Sequence, residues 1–247
     1  MKSFIRNLAM TGLALGALLG TAISTKADLT VNVNPGNGWI GYMNVFDIPQ
    51  NVVPTDTWPP TLGPYQFEGP WGTADLVATW AGPQLTLAPN TIGDPDPYWY
   101  IGGGGPEAIG NKIMDANMYV ELGELPGQTL TFSGTVLADT LTLANNPLNV
   151  DGIGNGWTAV AFIKDFAADY SSFNVSTVPL AAGPFSVALL TDAGAGRHVQ
   201  YGFEVIGPDV WITDVAQYGS IQLVPEPSSL VLLGLGTLGA LVWRRRQ

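Results

Sequence analysis

Glycine and proline interrupt the stretch from Asp28 to Val224 every ten residues or so, 25 Gly and 17 Pro in 197 residues. No run between them is long enough for a helix with a sustained apolar face. What lies between these breaks is short and strand-like: Leu29 to Val33, Trp39 to Phe46, Ala74 to Trp80, Gln84 to Ala88, Asn117 to Leu122, Thr129 to Leu137, Trp157 to Lys164, Phe185 to Thr191, Val199 to Ile206 and Ser220 to Val224. Leu130, Phe132, Gly134 and Val136 alternate with Thr129, Thr131, Ser133 and Thr135, so one side of that strand faces a core and the other faces water. About ten such strands in one stretch predict an all-β domain over 28–224, a two-sheet antiparallel β-sandwich. Lys164 to Tyr170 reads as a short helical turn, and the proline-rich stretch from Pro49 to Pro70 reads as a long surface connection.

The two ends differ from this domain. Lys2 and Arg6 precede an apolar run from Leu8 to Ile23 and then Ser24-Thr25-Lys26-Ala27, the three-part pattern of a secretory signal peptide over 1–27. Its partner is a signal peptidase cutting after Ala27. At the other end, Pro225-Glu226-Pro227 leads into an apolar helix over 229–243 and the cluster Arg244-Arg245-Arg246. The fourteen residues Leu230–Trp243 span about 21 Å at about 1.5 Å each, short of a hydrocarbon core of about 30 Å. The arginines hold the C-terminus in the cytoplasm and leave the domain outside.

These last residues, 225–247, resemble the PEP-CTERM sorting signal of Gram-negative bacteria: the Pro-Glu-Pro motif, the apolar helix and the arginine cluster stand in that order. The resemblance implies recognition by an exosortase near Pro225, Glu226 and Pro227. It also implies transient residence in the inner membrane through the C-terminal helix, then delivery to the cell envelope or an exopolysaccharide matrix. Within the domain, Asn117-Met118-Tyr119-Val120-Glu121, Leu125-Pro126-Gly127-Gln128-Thr129, Phe132-Ser133-Gly134 and Val160-Ala161-Phe162-Ile163, followed by Gln200 to Glu204 and Asp214 to Leu223, look like a galactose-binding-like jelly roll. Many carbohydrate-binding modules share that fold.

Charge and residue inventory narrow the chemistry. Asp28 to Val224 holds 19 carboxylates and three cations, Lys112, Lys164 and Arg197. A nucleic-acid partner is excluded, since cations are needed to displace counterions from phosphates. The chain has no cysteine and one histidine, His198, so neither a cysteine nucleophile nor a multi-histidine zinc site can form. No Gly-x-Ser-x-Gly elbow accompanies His198, which reads as an exposed residue at a loop-to-strand junction. Asp94-Pro95-Asp96-Pro97 and Asp151-Gly152-Ile153-Gly154-Asn155 place Asp94, Asp96, Asp151 and Asn155 in loops of the kind calcium prefers, and structural calcium is the one cofactor expected.

Seven of the eight tryptophans lie between Asp28 and Val224: Trp39, Trp58, Trp71, Trp80, Trp99, Trp157 and Trp211. Aromatic rings stack on the C–H faces of sugars while amides and carboxylates bond the hydroxyls. Tyr98-Trp99-Tyr100, between Pro97 and four glycines, is the candidate platform, although neighbours on a strand face opposite ways. With so few cations a neutral glycan suits better than an acidic one. The expected function is an exported, non-enzymatic β-sandwich of the envelope or matrix that binds neutral carbohydrate. One alternative is a matrix or surface-layer protein with no specific ligand. The other is a polysaccharide-active enzyme drawing its acid pair from Glu68, Glu107, Glu121, Glu124 and Glu204.

Overall fold

The computed structural model describes residues 27–48, 62–141 and 156–226. Its strands are β1 (Leu29–Asn32), β2 (Ile40–Asp47), β3 (Tyr65–Trp71), β4 (Ala78–Ala81), β5 (Gln84–Leu87), β6 (Thr91–Ile92), β7 (Tyr100–Ile101) and β8 (Ile109–Gly110). They continue as β9 (Lys112–Gly123), β10 (Thr129–Asp139), β11 (Thr158–Phe166), β12 (Phe173–Pro179), β13 (Gly183–Leu190), β14 (His198–Pro208), β15 (Val210–Trp211) and β16 (Ile221–Val224). The regular helical structure among the described residues is one 3-10 turn, Val215–Tyr218. No helix there is long and apolar enough to cross a membrane, and the expected helices of 1–27 and 229–243 lie outside the described residues.

Alternation builds the two large sheets. In the first, β10 carries β13 along one edge, while β1 and β16 share the other and β5 and β4 follow β16. The second runs β12-β11-β14-β9-β2-β3. One expectation needs correcting: the sheets are not wholly antiparallel, because β1 lies parallel to β10, as β15 does to β6. Two more corrections concern elements. Tyr65 to Pro70, read as connection, belongs to β3, an edge strand on which Pro70 need not donate a ladder hydrogen bond. Lys164 to Phe166 finish β11 rather than starting a helix, and a tight turn follows in which Tyr170 N–H donates to the Ala167 carbonyl.

Between the sheets the apolar faces meet. Phe132 of the first sheet sits 4.9 Å from Tyr201 and 5.2 Å from Phe203 of the second, ring centre to ring centre, and 5.4 Å from Phe185 beside it. Trp39 stacks on Phe203 and caps this cluster. A methyl group at Gly134 would come within 2.8 Å of the Phe185 ring, so only glycine lets that ring lie flat on β10. Opposing aromatic rings of this kind add stabilisation beyond their buried area.

Phe203→Ala is expected to cost about 3–5 kcal/mol of stability, read by urea denaturation of the full chain. Leu190→Ala, at a position 67% exposed, should change it by less than about 0.5 kcal/mol. Equal effects would place the packing centre elsewhere.

Candidate binding cleft

The second sheet has a second face. Met114, Ala116, Met118 and Val120 of β9 point into the core, so the intervening Asp115, Asn117, Tyr119 and Glu121 point away from it. They line a cleft of about 690 Å³ together with residues from β2, β3, β11 and β14. Neighbouring strands put partners in rows: Asn44 opposite Asp115, Asn117 opposite Glu204, Glu121 opposite Gln200, and Gln200 opposite Lys164. From Asp115 to Glu121 the floor runs about 20 Å along the strand.

Although this face is turned from the core, Asp115, Asn117, Lys164, Gln200 and Glu204 are buried, because aromatic walls rise on both sides. Tyr42, Phe46 and Tyr65 form one wall, and Phe166, Tyr170 and Phe173 form the other. Tyr65, Tyr170 and Phe173 are each about half exposed along the rim. Phe46 supports the Tyr65 ring edge-on at 5.9 Å. Tyr170 adopts a left-handed backbone (φ 58°), unfavourable for a bulky side chain. It is held there by stacking on His198 at 4.3 Å and by donating its hydroxyl to Glu121.

A single hydrogen-bonded network makes the floor. Lys164 Nζ donates to Glu204 Oε1 at 3.0 Å and to Asn117 Oδ1 at 2.8 Å. Asn117 Nδ2 donates to Asp115 Oδ1 at 2.6 Å, and Asn44 Nδ2 donates to Asp115 Oδ2 at 2.9 Å. Burial and the neighbouring Glu204 carboxylate push the Asp115 carboxyl well above the usual carboxylate range, more than Lys164 draws it down. Asp115 and Glu204 are thus two carboxyl groups held side by side in one buried site, and that closeness favours the protonated form of Asp115. At the far end Glu121 accepts from Gln200 Nε2 at 2.9 Å and lies 3.1 Å from His198 Nδ1.

The residues singled out from sequence fare differently. Tyr98, Trp99 and Tyr100 do not make a joint platform. Tyr100 is fully buried, its hydroxyl donating to the Ile92 carbonyl at 2.5 Å, because it anchors β7 to the β6 and β15 pair. Trp99 packs edge-on against Phe67 and Tyr98, and Lys112 Nζ lies 4.1 Å over the Tyr98 ring. Asp94 and Asp96 cap their own turn, accepting from the backbone N–H of Asp96 and Tyr98. Among the described residues no group of three or more acidic or histidine side chains gathers to hold a metal. Asp151 and Asn155 lie outside those residues, as do Pro227 and Arg244 to Arg246, while Pro225 and Glu226 follow directly on β16.

Of the five glutamates considered for acid chemistry, Glu68, Glu121 and Glu204 line the cleft. Glu107 and Glu124 are elsewhere: Glu107 donates its backbone N–H to Asp214, and Glu124 accepts from Gly196. Sequence reasoning missed Tyr42, Tyr65, Tyr119 and Tyr170 as a set, since they come from four separated segments. The readable signal was the alternation Asp115-x-Asn117-x-Tyr119-x-Glu121, polar and aromatic where a sheet merely facing water carries small polar residues. Among the described residues no tryptophan lines the cleft. Trp39, Trp71, Trp80, Trp99, Trp157 and Trp211 pack against the core instead, and Trp58 lies outside the described residues.

The chain matches the PEP-CTERM protein-sorting motif over residues 223–246. That motif supports export by an exosortase route, implies recognition by an exosortase, and implies association with the envelope. No curated protein sequence matches the chain. Among solved structures it is similar to a Stig cyclase, Fisc, from Fischerella sp. TAU, in complex with (3Z)-3-(1-methyl-2-pyrrolidinylidene)-3H-indole. That likeness stands at 13% identity over 77% of this chain and 85% of the other, with a TM-score of 0.25.

A second buried carboxyl lies outside the cleft. Asp209 is 2% exposed, and burial pushes its pKa up to about 7 despite the Lys112 N–H donating to Oδ1. Its Oδ2 and the Oδ1 of Asn90, each one residue before the Val210–Thr91 pair, have no partner among the described residues. A proton on Asp209 supplies the donor this corner lacks. The folded state therefore holds a proton between about pH 4 and 7 that the unfolded chain releases, so this group destabilises the fold progressively as pH rises through that window. Asp209→Asn carries a permanent amide donor and escapes the effect. Urea denaturation of the full chain should show the variant gaining about 2 kcal/mol on the parent between pH 5 and pH 8. Parallel pH profiles would contradict the assignment.

Proposed function

We propose that this exported domain is a non-enzymatic carbohydrate-binding module of the cell envelope or its exopolysaccharide matrix, and that the cleft of the second sheet is its binding site. The observation that carries this reading is the combination of half-exposed rings, Tyr65, Tyr170 and Phe173, over a floor of fixed amides and carboxylates. Rings stack on the C–H faces of a sugar, and Asn44, Asn117 and Gln200 present hydrogen-bonding groups fixed in direction. The two-sheet arrangement agrees with the galactose-binding-like jelly roll suggested by the strand order. Structural calcium, with Asp94, Asp96, Asp151 and Asn155 as its candidate ligands, stays part of the proposal.

Absence of catalysis has its own support. A retaining glycosidase keeps its carboxyl groups about 5–5.5 Å apart with the scissile bond between them, and an inverting one spaces them further. Asp115 and Glu204 instead lie side by side, Asp115 held by Asn44 and Asn117 and Glu204 by Lys164. These groups are spent on the floor. The matrix protein without a specific ligand is the second reading, favoured only if the cleft binds nothing.

A glycan array probed with the full chain in mild detergent should return saccharide binding. Tyr65→Ala and Phe173→Ala, both at exposed rim positions, should each weaken it about fivefold to tenfold without lowering the melting temperature. An array without signal would overturn the reading, as would binding indifferent to both substitutions.

A further inference from the structure

The cleft's charge is not balanced. The one cation among the described residues lining it, Lys164, is bound to Glu204 and Asn117. The other cations between Asp28 and Val224 are engaged elsewhere, Lys112 with Asp47 and Arg197 with Asp165. Among the described residues, Glu68 and Glu121 have no ammonium or guanidinium opposite them. The phenols register the field that results: after burial, the nearest carboxylate is what raises Tyr42 and Tyr65 (Glu68), and Tyr119 and Tyr170 (Glu121).

The two carboxylates are not equivalent. Glu121 already faces three side-chain donors, Tyr170, His198 and Gln200. Glu68 is exposed and lines the cleft together with Tyr42 and Tyr65, the latter a ring 54% exposed to solvent. A carboxylate sharing a cleft with exposed phenol rings suits a cation: the charge pairs with the carboxylate while a ring offers its negative face. A neutral hydroxyl gains little from this arrangement, and a uronate or sulfate is repelled by it.

We propose that the Glu68 end of the cleft binds a protonated amine of the ligand, so that the glycan recognised is a hexosamine polymer carrying free amino groups. This rests on the carbohydrate reading and makes it more specific, replacing a wholly neutral glycan with one bearing an ammonium at one subsite. Such a polymer is drawn to a domain whose carboxylates far outnumber its cations, and acidic polymers are turned away.

The test is calorimetric titration of the full chain, in mild detergent at pH 6 and low salt, with a glucosamine tetramer, an N-acetylglucosamine tetramer and tetralysine. The glucosamine tetramer should bind about tenfold tighter than its acetylated counterpart. Glu68→Gln, an isosteric change at an exposed position, should reduce that ratio at least threefold without lowering the melting temperature. Equal affinity for both tetramers, or a ratio untouched by Glu68→Gln, overturns the amine subsite and leaves the carbohydrate reading standing. Tetralysine binding as tightly as the glucosamine tetramer also overturns it, because the cleft would then read charge without sugar. A chain that binds neither tetramer and nothing on the array fails the carbohydrate reading itself.

Discussion

Lys164 is the constraint on which the binding face depends. An ammonium this far from water is costly unless its donors are met by an opposing charge and by fixed acceptors. Glu204 supplies the charge, Asn117 supplies an amide oxygen, and Asn117 in turn fixes Asp115. Glu204 stands beside Asp115 in the same buried site, and burial together with that neighbouring carboxylate pushes the Asp115 carboxyl well above the usual carboxylate range. The outward face of the second sheet is thereby knitted across β2, β9, β11 and β14 into a floor whose polar atoms hold their directions before any ligand arrives. That preorganisation limits the side-chain entropy lost on binding.

Much of the fold could be read from sequence because it follows from one-dimensional rules. Nine of the ten expected strands are present where alternation and glycine–proline punctuation place them, and the tenth, Ala74 to Trp80, is strand only from Ala78, because residues 73–77 form a turn. What escaped notice lies at edges and ends. In β3, Gly69 and Pro70 argue against a strand unless it is known to lie at an edge, and Asn174, Ser176 and Thr177 make β12 look like a loop. The parallel β1 depends on a pairing with β10 about a hundred residues away, which no local pattern encodes.

The binding face was harder to read for the same reason. Tyr98-Trp99-Tyr100 is conspicuous as a cluster in sequence, but Tyr100 is the core anchor of β7. The cleft's rings are scattered over Tyr42, Tyr65, Tyr119 and Tyr170 and meet only through the register of β2, β3 and β9 and the turn after β11. Glu121 and Glu204 were recognisable as candidate acids. That one would hold a rim tyrosine and the other would neutralise Lys164 is information that sheet pairing alone creates. Export and binding then join at one strand: β16 ends at Val224, inside the first residues of the sorting motif, so the sheet passes straight into the signal that delivers it.

The measurement closest to the central claim is residue-resolved NMR of the isotopically labelled full chain in detergent micelles, before and after adding a bound saccharide. If the outward face of the second sheet is the binding face, the resonances that move belong to Asn44, Tyr65, Asn117, Tyr119, Gln200 and the turn around Tyr170. Those of the first sheet, β4, β5, β13 and β16, stay where they are. Movement centred on the first sheet, or on the loop of Tyr98 and Asp94, would contradict the account.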